Sequence, residues 1–212
     1  MKLYYSQGAC SLAPHIALRE AERTFELERV DLRSHRTASG ADYYSINPKG
    51  YVPALELDGP GSLVLTENAA ILQYIGDLAP ARNLVPANGT FARYHLQEWL
   101  SFVSSEVHKQ FGPLFHPDTP ALTQERLRGK IGERYGYLNG VLASRGYLMG
   151  ETFGVADAYL YAMLRWNERF DLDTQLWPNL DDYFLRITTR PAVQAALGAE
   201  GLLEHKRLRR SA

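Results

Sequence analysis

Cysteine is almost missing from this 212-residue chain, occurring once, at Cys10. A lone thiol forms no internal disulfide, supplies no cysteine-based zinc site and cannot run two-cysteine exchange within the chain. A mixed disulfide with a small external thiol stays open. Net charge is also nearly absent, −1 at pH 7 from 23 Lys and Arg against 24 Asp and Glu. That balance argues against a nucleic-acid partner held by broad electrostatics. Long apolar runs are missing too. The strongest, residues 158–164, follows Asp157 and falls far short of the ~20 residues that cross a bilayer. The opening Met1-Lys2-Leu3-Tyr4-Tyr5-Ser6-Gln7 turns polar before it could form a signal-peptide core. There is no Gly-rich phosphate loop or serine-nucleophile elbow, and His35, His95, His116 and His205 lack the spacing of a metal site. The expectation is a cytoplasmic protein with no metal, nucleic-acid or membrane partner. The basic end, residues 205–210, reads as a solvated, frayed tail.

What is present is an ordinary globular composition, 45% hydrophobic and 22% charged, on a chain long enough to bury a real core. The pattern changes near residue 80. Before it, short strand-like runs at 3–5, 25–31, 54–57 and 62–65 alternate with helix-like runs at 12–21 and 67–78. A short helix or turn is expected at 41–46, ahead of the turn Asn47-Pro48-Lys49-Gly50. The order β-α-β-α-β-β-α describes a small mixed sheet with helices. After Ala79-Pro80-Ala81-Arg82, helices are expected over 92–111, 123–143, 155–170, 180–188 and 191–197.

Five places could carry chemistry. Cys10 follows a strand and precedes a helix, where free backbone N–H groups and a partial positive charge favour a thiolate; the competing reading is a small buried hydrophobe. Val52-Pro53 opens a strand, a setting where a cis bond would turn the Val52 backbone outward to an extended ligand. Thr66-Glu67-Asn68 lies at a strand-to-helix junction that could hold a carboxylate and an ammonium, or could simply be capping by Thr66. Ser101, Ser105 and His108 follow i, i+4, i+7 spacing beside Lys109, on a helix whose apolar stripe is Leu96, Trp99, Val103 and Val107. That polar stripe reads as a solvated face or as part of a site. Asp157, third in its helix, reads as a structural cap. Phe111, Phe115, Tyr159 and Trp166 could line an apolar pocket or fill the core.

Together these segments resemble a known family. MKLYYSQGACSLAPHIALRE, NPKGYVPALELD, LTENAAILQYI and FGVADAYLYAML occur in order with the separations of a cytosolic glutathione S-transferase, most similar to the bacterial beta class. The resemblance implies an α/β plus all-α fold. A thioredoxin-like glutathione-binding domain would span 1–79, a linker 80–88, an all-α domain with the hydrophobic co-substrate site 89–204, and the basic tail 205–212. It implies a homodimer that conjugates glutathione, as co-substrate, to hydrophobic electrophiles in detoxification. Cys10, Ser11 and His108 would be catalytic, with Ser11 donating to the thiolate and Tyr5 a rival donor. Val52 beside cis Pro53 would pair with the cysteinyl unit, and Glu67 and Asn68 would hold the γ-glutamyl end. Lys109 would reach over the cleft, and Ser105 would contact glutathione across the dimer. His35 stands where the family commonly has lysine, so contact with the glycyl carboxylate would fall to it or pass to Arg36 or Arg33. Two other departures are Asn68 for a serine and Gly154 for a Ser or Thr cap. Two rival functions share this fold: glutathione-dependent disulfide exchange or reduction through Cys10, and a non-catalytic ligand-binding or interaction protein.

Overall fold

The computed structural model describes residues 1–59 and 63–203. Five strands, β1 (Lys2–Tyr5), β2 (Glu26–Asp31), β3 (Arg36–Thr37), β4 (Ala54–Glu56) and β5 (Val64–Thr66), form one sheet in the order β3-β2-β1-β4-β5. β1 runs parallel to β2, and every other pairing is antiparallel. Alternation along β1 sends Leu3 and Tyr4 to opposite faces. Leu3 meets α1 (Leu12–Glu20) and α2 (Asn68–Asp77), while Tyr4 joins a smaller cluster with Val30, Tyr43 and Ala54. The short helix or turn expected at 41–46 is one 3₁₀ turn, Tyr43–Ser45. Asp42 caps it by accepting from the Tyr44 N–H (3.1 Å), and Asn47-Pro48 leaves no room for a second turn.

Beyond α2 the named elements among the described residues are helical: α3 (Phe91–Phe102), a π-helical segment (Val103–His108), α4 (Lys109–Phe111), α5 (Ala121–Leu142), α6 (Val155–Leu164), α7 (Pro178–Thr188) and α8 (Pro191–Ala199), with short 3₁₀ turns among them. All ten residues of α6 are buried, as befits a helix that is apolar on every side. Its end comes earlier than the single helix expected over 155–170. The polar run Arg165–Phe170 tightens into a 3₁₀ helix, and Asp171 closes it at φ 53°. Asp157 is the cap expected of it: its carboxylate accepts from the Gly154 N–H (2.8 Å), the Leu148 N–H (2.8 Å) and the Tyr183 hydroxyl (2.9 Å). Burial still pushes its pKa up to about 6.

The sheet unit and the helical unit share one core. Leu3, Ile16, Leu18 and Ile71 pack in a continuous cluster with Leu96, Val103, Tyr159 and Leu160. Buried polar and ionic contacts pin the same seam. Glu20 on α1 takes two bonds from Arg190, at 2.6 and 2.9 Å, and His15 on α1 meets Glu200 at 2.8 Å. Asp77 on α2 is gripped by Arg93 on α3 at 2.8 and 2.7 Å. Among the described residues no helix is long and apolar enough to cross a membrane, and the tail at 205–212 lies outside the described residues.

Removing one partner of a seam pair should cost more than the pair itself contributes, because the other charge is left in the interior. Arg190→Ala, which strands the largely buried Glu20 carboxylate, is expected to lower unfolding stability by about 2 kcal/mol. The check is a lower urea midpoint at unchanged slope. A midpoint equal to that of the parent protein would show that the seam does not depend on this pair.

Candidate active site

Cys10 sits on the turn that leads into α1, buried at 9% exposure. Its thiol donates to the Val52 carbonyl (3.2 Å), and the Val52–Pro53 bond is cis. The N–H groups of Cys10 and Ser11 and the Asn68 amide all turn towards the sulfur and pull its pKa down. Burial outweighs them and pushes the thiol up to about 12. The helix-end amides are therefore where the sequence puts them, but the cysteine they surround is a neutral thiol at pH 7. Of the two readings the sequence leaves open for Cys10, burial supports the small buried thiol. Ser11 departs from expectation as well. Its hydroxyl is fully buried and occupied by Ser6, donating to the Ser6 carbonyl and accepting from the Ser6 N–H, both at 3.2 Å. What Ser11 offers the sulfur is its backbone N–H. Tyr5, the rival donor, has its hydroxyl pKa raised, chiefly by burial and by Glu200, and remains a phenol.

The turn before Cys10 is held from the helical unit. Gly8, at φ 68°, donates its N–H to Glu200 (3.0 Å) and accepts from the Trp166 indole (2.8 Å). Neither contact was visible in the sequence, since Glu200 is 192 residues away from Gly8. Opposite Cys10, strand β5 ends at Thr66 and the chain turns at Glu67, φ 72° and ψ 123°, into α2. Thr66 is not the cap: its hydroxyl accepts from Lys49 (2.9 Å), and Lys49 also pairs with Glu67. The sharp turn at Glu67 leaves Thr66 one residue too early to reach the helix amides. Asn68 opens α2 buried, with a carbonyl oxygen that has no hydrogen-bond partner. Lys49 is the charged group that sequence reasoning missed, hidden in a segment legible only as a turn.

His35 adopts φ 51° and stacks on Tyr44, with ring centroids 4.5 Å apart, while its Nδ1 is buried without a partner. It packs against Gly50, where an added Cβ would fall 2.8 Å from Tyr44 and 3.1 Å from the His35 ring. Arg36 is spent on the Gly40 carbonyl (3.0 Å).

From the helical unit comes His108. Its Nδ1 lies 2.7 Å from the Tyr159 hydroxyl, and its ring meets Trp166 at 5.2 Å. Burial, aided by Lys109, depresses its pKa to about 4, so it is neutral at pH 7. The expected stripe of Ser101, Ser105 and His108 does not form. Across the π segment the turn widens to i→i+5. Ser101 and Ser105 stay exposed, the Ser105 hydroxyl donating to the Ser101 carbonyl (2.9 Å), while His108 rotates inward. Lys109 is exposed. Among the aromatics, Phe111 and Tyr159 are core, whereas Phe115, 37% exposed, packs edge-on against Trp166 at 4.9 Å and opens the cluster to solvent. Among the described residues no group of three His, Cys, Asp or Glu could hold a metal. Where the two units meet, the arrangement gathers amide donors around a sulfur, a cis peptide whose Val52 carbonyl is taken by that thiol, an acid–base pair and a neutral imidazole.

Comparison with known proteins bears on both units. Residues 1–77 match the family model "Glutathione S-transferase, N-terminal domain" and residues 102–191 "Glutathione S-transferase, C-terminal domain". The glutathione S-transferase GstA of Escherichia coli O157:H7 is 44% identical over 202 residues, covering 95% of this chain and all of that one. A sphingomonad glutathione S-transferase complexed with glutathione superposes with a TM-score of 0.92 at 48% identity. A beta-class glutathione S-transferase of Sphingomonas chungbukensis does so at 0.91 and 46%. Each covers 95% of this chain and 100% of its own.

A neutral, buried Cys10 has a direct chemical consequence. Raising the thiol pKa means that the reactive thiolate is scarce at pH 7 and grows about tenfold per pH unit. In the unliganded protein, alkylation of Cys10 by iodoacetamide should be slower than that of free cysteine at pH 7.5. It should still be rising at pH 10, where a free thiol has levelled off. Fast labelling with a plateau near neutral pH would contradict this reading of the site.

Proposed function

Because the chain belongs to the glutathione S-transferase family in both of its units, we propose that it ionises the thiol of bound glutathione in this cleft and transfers the thiolate to hydrophobic electrophiles. It is a glutathione transferase, and the observation that carries the finer reading is the convergence of Cys10, cis Pro53, Glu67, Asn68 and His108 on one cleft. Glutathione enters as co-substrate. Its cysteinyl unit pairs with the Val52 backbone beside Pro53, and its γ-glutamyl ammonium meets Glu67. Its γ-glutamyl carboxylate meets Asn68 and the N-terminus of α2. Lys49, with His35 behind it and Lys109 over the cleft, supplies positive charge for the glycyl carboxylate. The division of labour at 1–79, 80–88 and 89–204 follows, with Trp166 and Phe115 as the wall met by the electrophile.

The chemical task is to hold a thiolate at pH 7 when a free thiol has a pKa of about 8.5. Two units of depression correspond to roughly 3 kcal/mol. The α1 amides, the Cys10 thiol and the neutral imidazole of His108 are donors of that scale. The glutathione sulfur attacks the electrophilic carbon, a C–S bond forms, the leaving group departs with its electron pair, and the thiol proton passes to solvent. Cys10 thus acts as a hydrogen-bond donor, because its own pKa keeps it protonated.

Ser105 and the exposed aromatics Phe91 (85%) and Tyr94 (62%) lie along the α3 and π segments, and Tyr137 (54%) stacks on Trp99 at 6.1 Å. A second copy of the chain would cover these rings, and Ser105 would then approach the partner's glutathione. Sedimentation at micromolar concentration should give a dimer that Tyr94→Glu weakens; a monomer at all concentrations would overturn this part of the reading. The cytoplasm, with its glutathione pool, is the compartment such an enzyme needs.

Cys10→Ala separates conjugation from disulfide chemistry. Conjugation of glutathione to an aryl halide should fall by no more than about fivefold, the scale of one weak hydrogen bond. Reduction of a glutathione mixed disulfide should fall to background. Loss of conjugation together with reduction would make Cys10 the nucleophile instead, and a parent protein that turns over no aryl halide would favour a ligand-binding role.

A further inference from the structure

Tyr159 lies on the fully buried helix α6 and is itself 1% exposed, yet its hydroxyl meets His108 of the candidate site. It lies 2.7 Å from His108 Nδ1, with the two rings edge to face at 84° and 5.7 Å. A buried phenol has one proton to give and two lone pairs to fill. The hydrogen-bond partner of that hydroxyl among the described residues is His108 Nδ1. A buried phenol proton needs an acceptor, and Nδ1 is the one within reach. We propose that Tyr159 is a positioning residue: its hydroxyl donates to His108 Nδ1 and fixes the imidazole in the tautomer that carries its proton on Nε2.

The consequence for the reaction, which rests on the transferase reading, is that His108 presents one neutral N–H donor to the anion developing in the cleft. Left alone, a neutral imidazole interchanges its two tautomers, and only one of them has the donor on Nε2. A fixed donor of this kind costs no reorganisation when charge appears. The protonation states agree with this donation. Burial raises the Tyr159 pKa far above neutral and depresses that of His108 to about 4, so both groups are uncharged and the contact is a neutral hydrogen bond rather than an ion pair. The Tyr159–His108 contact also ties α6 to the π segment.

The tautomer is read directly by long-range ¹H–¹⁵N correlation of the imidazole nitrogens in the unliganded protein, independently of activity. The parent protein should show His108 protonated at Nε2 and accepting at Nδ1, and Tyr159→Phe should show a mixture. An Nδ1-protonated parent, or a spectrum that Tyr159→Phe leaves unchanged, overturns the proposal. Kinetically, Tyr159→Phe should lower kcat for aryl-halide conjugation about three- to tenfold, the scale of one neutral hydrogen bond, with the glutathione KM within about twofold. His108→Gln keeps a donor near the Nε2 position, whereas His108→Asn does not, so the glutamine variant should retain several-fold more kcat. In the His108→Gln background Tyr159→Phe should cost nothing further. An equal loss in both backgrounds would mean that Tyr159 acts through packing. Should Tyr159→Phe fail to fold, the parent spectrum and the Gln–Asn comparison still decide. A parent protein with the Nε2 tautomer but no transferase activity would sink the functional reading and leave the positioning intact.

Discussion

Helix α1 has almost no face turned to solvent. Leu12, Ala13, Ile16, Ala17 and Leu18 are all within 1% of full burial, and even His15 and Glu20 are enclosed. It is packed by α2 within the sheet unit and by α6 and α8 from the helical unit. The Glu20–Arg190 ion pair and the His15–Glu200 hydrogen bond supply the polar partners that such enclosure demands. Because Cys10 stands at the N-terminal end of this helix, neither unit alone determines where its sulfur lies. The Gly8 peptide just ahead of it is gripped by Trp166 on one side and Glu200 on the other. A cleft formed at such a joint inherits its precision from burial rather than from local loop structure.

Enclosure also sets the chemistry. A thiol at a helix N-terminus in water would ionise more readily, whereas the same amides around a buried sulfur do not recover its lost hydration. The result is a protein whose lone cysteine is a donor in waiting, beside an imidazole held neutral by the same lack of solvent. On the proposed transferase reading, two neutral donors would suit an incoming thiol better than two charged ones, stabilising the thiolate without a salt-bridged complex that would blunt its nucleophilicity. The formal near-neutrality of the chain conceals this local pattern, with Lys49 and Glu67 paired at the mouth and uncharged donors further in.

How much of this was legible follows from the range of each interaction. Most strands and helices and the Asp157 cap depend on neighbours within a few residues, and periodicity revealed them to within a few positions. The edge strand β3, two residues long, is too short to carry a period and was not expected. The motif around Cys10, the cis Pro53 and the Glu67-Asn68 junction were also local and could be read. Three things were not. The Thr66 hydroxyl is taken by Lys49 from 17 residues away, which turns an apparent cap into a partner. The protonation of Cys10 depends on burial, to which spacing is blind. The clamp on Gly8 comes from a residue near the far end of the described chain.

The π segment shows why a correct helix assignment can still misplace a side chain. Residues 91–111 are helical nearly throughout, and an ideal α-helix would stack Ser101, Ser105 and His108 on one face. One widened turn leaves Val103 and Val107 in the core and swings His108 between Tyr159 and Trp166. The widening gives up regular i→i+4 bonding, and it is kept where the inward residue has a polar partner waiting. Here that partner is the Tyr159 hydroxyl, at 2.7 Å. The irregular turn and the buried phenol are therefore two halves of one arrangement, since without the hydroxyl an inward imidazole would bring an unpartnered nitrogen into the interior.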